Sequence, residues 1–160
     1  MNPEQTQSLR RLLHGQHIAS LGTLHKGEPY VSMVPFALLP DASALVIHVS
    51  QLSAHTKDMV ENPRVSVLVV AADTAGAPAQ ALARATLQGR AEEYTASTPG
   101  YSSAEEAYLS RFPQAASTFE LPDFSLFAIR PRSIRFIGGF AQALTLTPTA
   151  FASALRQTPG

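Results

Sequence analysis

Ser50, Ser53, Thr56 and Lys57 bring three hydroxyls and one ammonium into eight residues, a composition suited to holding an oxyanion. Residues 53–61 read as a short helix with Ser53 at the N-cap position. A helix start offers unpaired backbone N–H groups and the positive end of a dipole. A phosphate placed there would receive neutral and charge-assisted hydrogen bonds together. The same residues describe a capped surface helix with a solvated Lys57, and local sequence alone favours that plainer reading because such caps are common.

A second polar group lies in "ALARATLQGRAEEY", where alternation puts Ala83, Ala85 and Leu87 on one strand face and Arg84, Thr86, Gln88 and Arg90 on the other. That face can line a cofactor cleft or simply meet water, as outer faces of antiparallel sheets do. The histidines His14, His17, His25, His48 and His55 all precede residue 56. His25 falls in the turn "HKGE", and His48 shares a strand face with Ser50. His14 and His17 are separated by a helix end, no carboxylate completes a metal set, and no metal site is expected. Nucleophile-elbow, phosphate-loop and dinucleotide-glycine patterns are absent, and no catalytic residue can be assigned.

These side chains need elements to position them. Leu9, Leu12 and Leu13 predict an N-terminal helix within 1–15, and "TPTAFASALRQ" predicts a C-terminal one over 148–157. Between them read the strands "HIASLGTL", "PYVSMVPFALL", "ALVIHVS", "RVSVLVV" and "ALARATLQGRAEEY", then a surface helix "SSAEEAYLSRF". "DFSLFAIRP" and "SIRFIGGF" follow as two strands around an Arg-Pro-Arg turn. Pro35 calls for a bulge or an unpaired edge, and "RVSVLVV", apolar on both faces, reads as central. "IGGFAQA" reads as a tight bend. Successive strands lack intervening helices, so the expected fold is mostly β: one antiparallel β-barrel domain over 1–160 with peripheral helices.

Composition sets outer limits. The chain has 160 residues, 45% hydrophobic and 15% charged, with twelve basic against twelve acidic side chains. No net field favours nucleic acid or an anionic membrane. The absence of cysteine removes disulfides and thiolate sites and fits a reducing compartment. With no signal-peptide pattern and no membrane-length apolar run, a cytoplasmic location is expected, with no membrane partner.

The order "G-x-PYVSMVPF", "LVIHVSQLSAHTKDMVENPRVSVLV", "ALARATLQGRA" resembles the FMN-binding split-barrel proteins related to pyridoxamine 5′-phosphate oxidase, and "IRPRSIRFIGGFAQA" resembles their haem-utilisation branch. The resemblance spans residues 16–145 and implies an antiparallel split barrel of six strands. It also implies an obligate homodimer with FMN in clefts at the interface. Val31, Ser32, Met33, Val34, Pro35 and Phe36 match the strand along the isoalloxazine and ribityl groups. His48, Val49 and Ser50 match the end of the next strand. Ser53, His55, Thr56 and Lys57 match the phosphate-binding helix start, and Arg84 matches a flavin-contacting polar position.

Departures from the family pattern matter. Val31 replaces a phosphate-gripping Arg, and Ala54-His55 replaces an Arg-Lys pair, so Lys57 and Arg84 would carry more of the phosphate. The oxidase's substrate-phosphate residues lack counterparts, which argues against pyridoxamine phosphate oxidation. Haem-utilisation relatives take a haem-ligating His from a further C-terminal segment, and no His follows His55 here. The resemblance thus implies an FMN-binding oxidoreductase acting on a small molecule, with chemistry supplied by the flavin. The alternative is a non-catalytic FMN or haem binding and storage protein.

Overall fold

In a computed structural model, which describes residues 1–139 and 142–156, the chain forms one antiparallel sheet with helices at its periphery. The strands are β1 (Ile18–His25), β2 (Glu28–Pro35), β3 (Ala37–Leu38), β4 (Leu45–Ser50), β5 (Arg64–Val70), β6 (Arg84–Tyr94), β7 (Phe124–Ile137) and β8 (Ala143–Leu146). The sheet order is β2-β1-β5-β6-β7-β4-β3, with β8 added to β7. β2 and β3 sit at opposite ends of that order yet are separated only by Phe36. The sheet must therefore curl until its two edges meet. Phe36 marks the seam: it is fully buried, and its N–H donates to the His17 carbonyl at 3.1 Å. This is the expected mostly-β antiparallel split barrel.

Local chemistry explains the elements. The β1–β2 hairpin turns at Lys26 and Gly27, both at positive φ (52° and 83°), the backbone that a two-residue turn between twisted strands requires. Helix α1 (Pro3–Gly15) starts with a reciprocal Asn2–Gln5 capping box and buries Leu9, Leu12 and Leu13. Helix α2 (Ala54–Glu61) lies against β1 and β2. Helices α3 (Tyr101–Arg111), α4 (Ala116–Phe119) and α5 (Pro148–Arg156) complete the periphery. Among the described residues no helix is long and apolar enough to cross a membrane.

Four readings of the sequence change. The run 29–39 is not one strand: β2 ends at Pro35, on a sheet edge, and Phe36 breaks the ladder. The two strands placed around Arg-Pro-Arg are the single strand β7. Pro131 is tolerated there because β4 pairs β7 only to Ile129 and β8 joins at Ile134, leaving the stretch between without a second partner. A register shift beside Gly89 leaves Arg132 as the extra residue, and the β7 backbone approaches Gly89 so closely that a Cβ would overlap Arg130. Strand β8 was not foreseen. The bend "IGGFAQA" and position 157 of the C-terminal helix lie partly outside the described residues.

The fourth change concerns β5. It is central, between β1 and β6, but not covered on both faces. Val65, Val67 and Val69 enter the core, whereas Leu68 and Val70 remain 37% and 42% exposed.

Candidate functional site

The helix start that looked like one anion cradle points three ways, because successive helical side chains are about 100° apart. His55 turns to the sheet edge, where its Nδ1 lies 3.0 Å from Ser32 Oγ. Desolvation holds the His55 pKa below the usual value, partly opposed by the charge of Asp58. Thr56 is buried and donates to the Ser50 carbonyl at 2.6 Å. Ser53 occupies the N-cap position, but its side chain makes no capping bond, and Ser50 Oγ instead accepts from the Leu52 N–H at 3.2 Å. Lys57 opens, away from His55, onto a cleft that Thr56 also lines, with Gln51, Glu61, Glu93 and Ser125. Two carboxylates beside the ammonium make that cleft a poor phosphate site within one chain.

The structure adds residues that sequence reasoning missed. Asp58, 2% exposed, accepts from Thr23 Oγ1 at 2.8 Å through one oxygen and meets His25 Nδ1 at 2.7 Å through the other. His25 is the last residue of β1 rather than part of the turn, and its ring also packs against Tyr30. A carboxylate at Asp58 can only accept, so Nδ1 is the donor of this contact, and in the neutral ring the lone pair is on Nε2. One signal was legible: Asp58 falls beside Met59 on the buried stripe of an otherwise polar helix.

The outer sheet face is mixed, with an exposed apolar strip among polar residues such as Ser20, Ser66, Thr86 and Gln88. Val31 and Met33 project from the edge strand at 68% and 60% exposure, while Ser32 and Val34 turn inward. Met33 lies opposite Ser20, which lies opposite Leu68, so Ile18, Val31, Met33, Leu68 and Val70 form one strip across β2, β1 and β5. Pro35 is half-buried at the seam, and Val34, Phe36 and Val49 belong to the core, so their side chains contribute packing.

Arg84, paired with Val70, flanks this strip, and its Nη1 donates to the Gln80 and Leu82 carbonyls at 3.2 and 3.0 Å. Glu93, beside Lys57, is nine residues further along β6, about 30 Å at a strand's rise. Lys57 and Arg84 of one chain are thus at opposite ends of the sheet.

His48 shares the β4 face with Ser50 but enters an aromatic nest. It stacks on Phe119 with centroids 3.7 Å apart and planes 4° from parallel, beside Tyr108 and Phe124, and its Nδ1 lies 3.3 Å from Thr118 Oγ1. Burial lowers its pKa to about 4, and burial in the same nest raises Tyr108 to about 12. This is a packed neutral histidine, separate from α2. Among the described residues no three His, Cys, Asp or Glu side chains cluster as a metal site.

Comparison with known proteins places these features. The family model described as pyridoxamine 5′-phosphate oxidase matches residues 5–138. A non-canonical heme oxygenase of Arabidopsis thaliana chloroplasts, HOZ, is 33% identical over 142 residues, covering 86% of this chain and 41% of that protein. The structure of a heme binding protein from Mycobacterium smegmatis superposes with a TM-score of 0.83 at 28% identity, over 96% of this chain and 62% of that one. HutZ of Vibrio cholerae, described as a heme storage protein, shares the fold with a TM-score of 0.68 at 22% identity, over 81% of this chain and 89% of its own. The chain thus spans less than two thirds of the first two relatives.

Proposed function

The chain belongs to the pyridoxamine 5′-phosphate oxidase family, and within it we propose a dimeric haem-binding protein with a holding or transfer role. The observation that carries this reading is the similarity, across 86% and 96% of the chain, to two proteins described as a heme oxygenase and a heme binding protein. The residues present suit the group. The strip of Ile18, Val31, Met33, Leu68 and Val70 can meet a porphyrin face or a second copy of the chain. His25 offers a free Nε2 whose ring is oriented by a buried carboxylate, the arrangement that holds imidazole ligands to metals. His55 is a second imidazole, kept neutral by desolvation. Haem, when bound, supplies iron-centred redox and gas chemistry, while these residues bind and orient it.

A second reading, FMN, is favoured by the family and by the two cations Lys57 and Arg84. Because they lie at opposite ends of one sheet, both can reach one phosphate only if two copies contribute. That reading also requires a homodimer, with the cofactor at its interface and a small-molecule substrate.

One experiment separates the two. Cofactor-free protein is titrated in parallel with hemin and with FMN, following the Soret band and flavin fluorescence. Haem binding predicts a saturable Soret shift that His25→Ala abolishes or moves, with FMN fluorescence unquenched. Quenched FMN without a Soret change would replace haem by flavin, and no response to either would remove both. Sedimentation checks the dimer: wild type sediments as two copies and Met33→Asp as one. A monomeric wild type overturns it.

A further inference from the structure

A cleft of about 330 Å³ opens between the end of α1, the β3 segment, α3 and the end of α5, lined by none of the flavin-matched residues. Its polar lining is His14, Ser110, Arg111 and Arg156, and its floor is apolar, from residues 37–40, Ala42 and Leu155. No carboxylate among the described residues lines it. Arg10 packs beside it, donating from Nε to the Ala154 carbonyl at 2.7 Å.

The charges here are not balanced. Arg111 donates to the carbonyls of Leu13, His14 and Gln16, and Arg156 to that of Ala152 at 3.3 Å, so the arginines cap the ends of α1 and α5. Two helix ends supply about half a negative charge each, against three guanidinium groups. Capping therefore explains where the arginines sit but leaves a net positive charge at the cleft. The Asp41 carboxylate, which does not line the cleft, feels Arg130 and Arg156 and so offsets part of the Arg156 charge, and the two ion pairs among the described residues lie elsewhere. Of the lining arginines, Arg111 has its Nε buried without a hydrogen-bond partner; Arg10 Nη2, behind the lining, is likewise unpartnered. Burial and the neighbouring Arg111 also hold His14 below its usual pKa, so it acts as a neutral ring. Half-buried and exposed guanidinium groups facing an apolar floor with no carboxylate are well placed to give charge-assisted hydrogen bonds to an anion.

We propose that this cleft binds an oxyanion carried on a small apolar body, a phosphate monoester or a carboxylate. The arginine and Ser110 donors would hold the oxygens and the Leu38, Leu39 and Leu155 floor the body. The volume lies at the lower end of small-molecule sites, which limits the body to about one ring. The site is independent of the cofactor reading, and cofactor-free protein suffices to test it.

Backbone amide shifts of the ¹⁵N-labelled full chain are followed during titration with phenyl phosphate, benzoate and inorganic phosphate at constant ionic strength. Saturable shifts confined to Leu38–Ala42, Ala107–Arg111 and Leu155 are expected, with phenyl phosphate or benzoate at least fivefold tighter than inorganic phosphate. Which of the two aromatic ligands binds tighter distinguishes phosphate from carboxylate. Arg156→Gln, an exposed change, should weaken binding at least fivefold, while Arg11→Gln on the outer face of α1 leaves it unchanged. Shifts spread over the surface, or equal affinity in wild type and Arg156→Gln, would overturn the site. Equal affinity for inorganic and phenyl phosphate would overturn the apolar part.

Discussion

Replacing Asp58 by Ala probes the clamp that ties α2 to the end of β1. The substitution removes the acceptor for Thr23 Oγ1 and for His25 Nδ1 at once. Thr23 is 4% exposed, so its hydroxyl loses its partner without gaining water. Such an orphaned group costs about 1–3 kcal/mol. His25, with its side chain 42% exposed, can turn to solvent and forfeits only the net value of a charge-assisted bond. With the exposed His25 bond discounted to about 1 kcal/mol for solvent screening, the two losses total about 2–4 kcal/mol, or a melting temperature lower by about 4–16 °C in a domain of this size. Thermal and urea unfolding followed by circular dichroism measure the cost, and a cycle with Thr23→Val assigns it. In the Thr23→Val background, Asp58→Ala should cost about 1 kcal/mol less, because the orphaned hydroxyl is gone. The ¹⁵N spectrum of His25 gives an independent readout: the Nδ1–H tautomer in wild type, and a tautomer mixture in the variant. A cost below about 0.5 kcal/mol, or full additivity with Thr23→Val, would refute the clamp.

Two further outcomes follow from the same geometry. His48 has its pKa lowered to about 4 by burial, so the neutral ring stabilises the fold fully above the unfolded value near 6.5. That contribution is lost as pH falls from there towards 4, and His48→Leu should flatten the stability curve in that window; parallel curves would show the ring titrates freely. Gly89→Ala places a Cβ against the Arg130 backbone and should destabilise by about 1–3 kcal/mol or more, read from urea midpoints, and a neutral change would mean the bulge yields.

Much of the fold was legible because its signals are local. Alternation marked β6, short apolar runs marked β1 and β5, Lys26-Gly27 marked the hairpin, and the leucine spacing of α1 marked its buried face. The family order of segments added the barrel and its helical periphery. Pro131 misled because a proline interrupts a strand only where its missing N–H faces a partner, and which edge of β7 is paired depends on β4 and β8. Strand β8 has four residues and little pattern of its own, and its existence depends on the far half of β7.

The candidate site divides along the same line. Sequence alone determined which residues carry hydroxyl, imidazole and cationic groups, that they cluster around one helix start, and that this start lies between two strands. Only the tertiary structure decided that His55, Thr56 and Lys57 diverge, that His48 is packed among aromatic rings, and that Arg84 and Lys57 stand at opposite ends of a sheet. It also joined His25 to Asp58 across 33 positions. The reason is one of range. Helix and strand periodicities follow from backbone geometry over a few residues, whereas burial, charge pairing and the facing of side chains depend on which distant segments close the barrel.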